Sequence, residues 1–155
     1  LDGDGAFAPT RSGAVPVGDL IRLCYSGKYA TVDEMMKRAV GDAGIAAYLG
    51  TADMREVNKM IENGDENAKL VKEAFIYQHA KDIGSLSVVM KGKVDAILLT
   101  GGIAYGKDIT DAIASYTEWI APVVVIPGER EMIALAQGAL RVLNGEEEAK
   151  EYEAW

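Results

Sequence analysis

Residues 101–108, Gly101-Gly102-Ile103-Ala104-Tyr105-Gly106-Lys107-Asp108, join an apolar run (Val94–Thr100) to a helical pattern. Phosphate is often gripped at such a strand-to-helix turn, because the N–H groups opening the helix are free to bind it. The spacing fits G-x-x-x-x-G-K. Asp108, however, stands where that motif needs a hydroxyl for Mg2+, and no acid ends the next apolar run. The dinucleotide pattern G-x-G-x-x-G fails too, since position 103 is Ile. Two readings of the loop stay open: a tight turn, or a glycine pair against which a flat ligand can lie. Arg11, in Pro9-Thr10-Arg11-Ser12-Gly13, is a permanently charged group able to clamp phosphate or carboxylate bidentately. A solvated loop arginine fits the same pattern. Asp53-Met54-Arg55 opens a helix, so taken alone Asp53 is a cap and Arg55 a surface charge. Glu129, just past the apolar run Pro122–Ile126, is either a helix-start acid or a carboxylate beside a metal.

Other residues carry weaker signals. Asp2-Gly3-Asp4-Gly5 starts like a calcium loop, but Gly13 stands where the bidentate Glu belongs, so a turn is expected. His79, the single histidine, lies four residues from both Phe75 and Ile83, on an apolar face, and reads as a core histidine. Cys24 has no histidine near it in sequence and reads as packing. Met35, Met36 and Met60 read as helix faces, and no Ser–His–Asp or metal-ligand spacing stands out.

The elements that must position these residues follow from periodicity and punctuation. Residues 1–18 read as loop, with one short strand about Ala6-Phe7-Ala8. Helices are predicted over Asp19–Ser26, from a Thr31–Glu34 capping box to Val40, and over Met54–Glu62 behind Asp53. Ile45–Leu49 reads as a small strand. A long helix spans Asp65–Met90 with Val71, Phe75, Ile83, Leu86 and Met90 on its apolar face, and Gly84-Ser85 suits close packing. Val94–Thr100 and Pro122–Ile126 read as strands buried on both faces, as in a parallel sheet. Helices follow them at Asp108–Trp119 and Glu129–Leu143, then an acidic helical tail. The second half is therefore a right-handed α/β crossover unit, whose functional loops lie at the carboxyl ends of the strands.

The 155 residues and net charge of -8 bound the possibilities. The length suits one domain with a real core. An acidic chain repels phosphate backbones, so nucleic acid is not an expected partner. No apolar run approaches the roughly 20 residues of a membrane span. One cysteine excludes a disulfide framework and, with no export signal at the start, favours a reducing cytoplasm. The chain opens without Met inside a Gly/Asp loop, so it is expected to be cut from something longer.

Four strings, in order, resemble butyrate kinase: DGDGAFAPTRSG, LGTADMREV, LLTGGIAYG and VIPGEREMIA. The resemblance runs over nearly the whole chain and follows the family's C-terminal half. Butyrate kinases are similar to acetate kinases, in the superfamily of acetate and sugar kinases, heat-shock proteins and actin. The resemblance implies an α/β, actin-like ATPase (ribonuclease H-like) C-terminal domain, helix-rich with a short parallel sheet and truncated. It implies a single nucleotide-binding domain over 1–155 and a carboxylate kinase using ATP/ADP and Mg2+ to make butanoyl phosphate from butanoate. By motif, Arg11 faces the transferring phosphoryl group. Asp53, Met54 and Arg55 line the adenosine pocket, with Met54 on the base. Gly101, Gly102 and Ile103 are the adenosine motif, and Glu129 is the acid near Mg2+. Acetate kinases have G-E-N where this chain reads Ala104-Tyr105-Gly106, which favours butyrate kinase. The family's N-terminal half, with its first phosphate loop, metal aspartate and most of the acyl pocket, is absent, and His79 does not match its phosphate histidine. The chain alone is thus expected to lack turnover. The acid remains open among butanoate, branched-chain acids, propionate and acetate, and a noncatalytic nucleotide-binding or interaction module is the competing class. A sheet edge exposed by the missing strands also makes self-association plausible.

Overall fold

Caps and turn glycines divide most of the chain as their chemistry requires. A computed structural model describes residues 3–151. The first helix, α1 (Val17–Cys24), starts directly behind Pro16, two residues earlier than Asp19 suggests. Thr31 Oγ1 accepts from Glu34 N–H at 3.2 Å and opens α2 (Val32–Ala39). Glu34 completes the box one residue early, accepting from Ala30 N–H at 2.7 Å. Asp53 caps α4 (Met54–Glu62), and Asp65, accepting from Ala68 N–H at 2.9 Å, caps α5 (Glu66–Ser87).

Ile45–Leu49 is not a strand but part of helix α3 (Gly44–Leu49). Five apolar residues alone do not distinguish the two. Ala46-Ala47 favours the helix, Gly50 closes it in the left-handed region at φ 75, and Ile45 is buried while Tyr48 stays 65% exposed. Ala6–Ala8 forms no strand either. The loop instead bridges Arg11 to Val40 and inserts Phe7 edge-on against Phe75, with ring centroids 5.8 Å apart.

α5 is the beam of the core and packs on α3, α4 and on α6 (Lys107–Thr117). Phe7, Ile45, Val57, Val71, Phe75, Ile76, Ile109 and Ile113 meet there. Fully buried Ile45 and Val57 each contribute about 1.5–3 kcal/mol relative to exposure. The buried face of α5 turns away from the expected line: Ala68, Ile76 and Ala80 replace Leu86 and Met90, which stay exposed. The helix ends at Ser87, three residues early, and nothing packs within 4 Å of a Cβ at Gly84. His79 is half-buried, its ring on Phe75 and its Nδ1 2.8 Å from the Phe75 carbonyl oxygen. Cys24 is exposed, because α1 buries nothing.

β1 (Ile97–Gly101) and β2 (Val123–Pro127) pair in parallel, from Ile97 on Val123 to Gly101 on Pro127. They are not buried on both faces: Leu98 is 61% exposed and Ile126 44%. α7 (Glu131–Leu143) begins two residues past Glu129 and buries no residue. The acidic segment after it turns at Asn144–Gly145 and is not helical through residue 151. Glu153 of the expected tail, and Asp2 of the calcium-like turn, lie outside the described residues. Among the described residues no helix is long and apolar enough to cross a membrane.

Candidate functional site

Gly101 has φ 86, a conformation that side chains rarely adopt, and this swings β1 into a 3-10 turn over Gly102–Tyr105. Opposite stands the first turn of α4. Between them lies a cleft of about 640 Å³, lined on one side by Asp53, Met54, Arg55 and Asn58 and on the other by Gly102, Ile103, Tyr105, Gly106, Asp108 and Ile109. That volume is in the range of small-molecule sites. Two strings distant in sequence thus share one concavity. Gly102 is informative here: its φ is not positive, and no atom lies within 4 Å of where its Cβ would stand. The chain's own packing does not require glycine at that point, whereas a ligand resting on the backbone would.

Asp53 and Arg55 are committed to each other. The guanidinium donates through Nε at 2.9 Å and Nη2 at 2.6 Å, and Arg55 N–H caps the helix on Asp53 Oδ1 at 2.9 Å. These bonds, the side-chain ones first, hold the Asp53 carboxyl down to about 2, and the same pairing raises Arg55. Deeper in, Lys72 of α5 reaches from behind to Asp108 and, at 2.6 Å, to Asn58 Oδ1. Burial works against ionisation of Asp108, but its bond and attraction to Lys72, with a further bond from Asn58, outweigh that and leave it below the ordinary carboxylate range.

This geometry disposes of the phosphate-loop reading. Lys107 turns away to pair with Asp111 and is 84% exposed. The carboxylate of Asp108 occupies the start of α6, where a phosphate would have to sit.

Arg11 and Glu129 do not line the cleft. Arg11 is exposed, and its loop is pinned by Gly44, whose missing Cβ would stand 1.9 Å from the Ala8 carbonyl oxygen and 2.7 Å from that of Arg11. Glu129 is exposed just past Gly128, which exchanges two backbone hydrogen bonds with Gly101 at 3.3 and 3.0 Å. It is therefore neither in a helix nor part of a carboxylate cluster. Among the described residues no three acidic, histidine or cysteine side chains gather into a cluster that could hold a metal. Asn58 and Lys72 escaped the motif reading, and Asp108 entered it only as the residue that spoils the G-x-x-x-x-G-K pattern. Of the first two only Asn58 had a signal, lying one helical turn from Met54 on the same face.

The Acetokinase family pattern matches residues 3–119, three quarters of the chain, and the chain belongs to that family. Its helix-rich α/β fold is that of solved acetate and propionate kinases. The Porphyromonas gingivalis acetate kinase superposes with a TM-score of 0.80 at 22% identity, over 90% of this chain and 41% of that one. A Francisella tularensis propionate kinase gives 0.70 at 26% identity, over 84% and 39%. Within the family, Butyrate kinase 2 of Clostridium acetobutylicum is 56% identical over 152 residues, 98% of this chain and 42% of that protein. Butyrate kinase 1 of the same organism is 54% identical over the same shares. The chain spans about 42% of the length of these curated relatives.

Proposed function

We propose that this chain is the C-terminal, nucleotide-binding portion of a butyrate kinase, which converts ATP and butanoate to ADP and butanoyl phosphate. In that reaction a carboxylate oxygen bonds to the γ-phosphorus as the bond to the β-phosphate oxygen of ADP breaks. The observation that carries the reading is the cleft, in which Asp53, Met54 and Arg55 face Gly102 and Ile103. Met54 and Ile103 offer apolar surface to a base. Gly102 offers open backbone, and the bound Asp53–Arg55 pair presents charge at an exposed edge, where Arg55 is 88% exposed. Gly101 builds the turn that brings Gly102 and Ile103 to the cleft and does not itself line it. Identity above one half with butyrate kinases favours butanoate over propionate or acetate as the acid.

Arg11, on its braced loop, is proposed to stabilise charge on the transferring phosphoryl group, as a planar bidentate donor can. Toward Mg2+, which neutralises phosphate charge in such transfers, Glu129 is proposed as the nearby acid, exposed just past Gly128. Phosphoryl transfer depends on positioning and water exclusion, which one wall of a cleft does not supply. The chain alone therefore binds nucleotide without turnover.

The test is an acyl-phosphate assay with butanoate, isobutyrate, propionate and acetate. It is run on the chain alone and after mixing with the separately produced N-terminal remainder of a full-length relative. Turnover only in the mixture, highest with butanoate, is the expected result, and Arg11→Lys in the mixture should lower kcat by about tenfold or more. Robust turnover by the lone chain, or none with any acid after mixing, would overturn the reading.

A further inference from the structure

Asp108 lines the cleft at the first turn of α6, and Asn58 faces it from α4. Asn58 Nδ2 donates to Asp108 Oδ2 at 3.2 Å, and the same oxygen receives the Lys72 ammonium. Among the described residues, Asp108 Oδ1 has no side-chain donor. Lys72 is only 14% exposed and does not line the cleft. A ligand therefore meets the negative front of this pair, not its positive back.

Two consequences follow. The start of a helix after a strand would ordinarily attract phosphate, but a carboxylate at that spot repels it. The same carboxylate offers an acceptor to any N–H donor lying in the cleft, and Met54 and Ile103 border it with apolar surface for a flat ring.

We propose that Asp108, positioned by Lys72 and Asn58, is the specificity determinant of this cleft: it receives the amino group of adenine and turns phosphates away from the start of α6. The nucleotide therefore lies with its base toward α6. This inference rests on the nucleotide reading above and names a contact within it. Asp108 is the contacting group. Lys72 is a positioning residue that braces α4, α5 and α6 at one point.

The experiment is an NMR or calorimetric titration of the 155-residue chain with adenosine, with purine riboside (the same nucleoside without the amino group), and with pyrophosphate. The wild-type chain should bind adenosine about tenfold more tightly than purine riboside, as expected for a hydrogen bond to a charged acceptor, and should ignore pyrophosphate. Asp108→Ala should bring the two nucleosides to equal affinity and allow pyrophosphate to bind. Lys72→Met should narrow the nucleoside ratio, and Lys72→Arg should restore part of it. A purely structural role would lower both nucleosides together and leave their ratio unchanged. An unchanged ratio in folded Asp108→Ala or Lys72→Met overturns the inference while nucleotide binding stands. Failure of the wild-type chain to bind either nucleoside removes both readings.

Discussion

Asp108 shows how a charge can be held in a cleft by groups that no motif marks, Lys72 and Asn58. The folded Asp108 carboxyl lies below its ordinary value, so the sign of its pH effect is fixed. Its contribution to stability is fully present above the unfolded value of about 3.9 and is lost as the pH falls through the lowered folded value. Asp108 keeps 43% of its side-chain surface in water, and solvent screening discounts the pair. Asp108→Asn should therefore cost about 1 kcal/mol near pH 7, once a charged hydrogen bond is discounted in this way. Urea unfolding of the two proteins should show a gap constant from pH 7 to 5 that closes below pH 4. A gap that widens on acidification would contradict the pairing. At this scale the sequence was legible where a contiguous string lines the cleft: Asp53, Met54 and Arg55 stand across it from Gly102 and Ile103. It was mute for Lys72, one of three lysines on a 22-residue helix, because its role depends on two other helices.

Elements were legible wherever a cap or a turn glycine enforces them, and less so where only hydrophobicity speaks. Thr31 and Asp53 accept backbone N–H groups as the caps they were read to be, and Asp65 proves to be a third cap, just outside the long helix it was read to begin. The short run Ile45–Leu49 misleads because its fate is set by tertiary packing: Ile45 fills the core while Gly44, at φ 61, lets the backbone meet the loop of Arg11. Two glycine substitutions separate these influences. Gly44→Ala forces a Cβ against backbone atoms in a left-handed conformation. It should cost about 2–4 kcal/mol, as strain and overpacking together do. Gly84→Ala lies in the last turn of α5 in open space and should stabilise by about 0.5–1 kcal/mol. Denaturant midpoints of the two variants, read against the wild type, check both signs. A harmless Gly44→Ala would mean that α3 does not brace the Arg11 loop.

For the whole molecule, the issue is what covers its apolar outer side. α7 buries nothing, leaving Met132, Leu135 and Leu143 at 79%, 69% and 81% exposure. The sheet that precedes it in the chain has only two strands among the described residues, with Leu98, Val124 and Ile126 open to water. Two paired strands are marginal by themselves, and apolar surface of this extent calls for a partner. Reading both strands as buried on both faces was sound for an intact α/β sheet, and it failed here because burial belongs to the assembled sheet. The chain spans about 42% of the length of its relatives, so the rest of such a protein is the fitting cover. The isolated chain should therefore bind an apolar fluorescent dye strongly and associate with itself as concentration rises in sedimentation. Mixing with the N-terminal remainder of a full-length relative should suppress most of the dye signal. Met132→Glu with Leu135→Glu should reduce self-association while leaving adenosine binding intact, because α7 does not line the cleft. A lone chain that is monomeric and silent to the dye would mean that α7 folds back over the sheet, and a complementary segment would then have to displace it in order to dock.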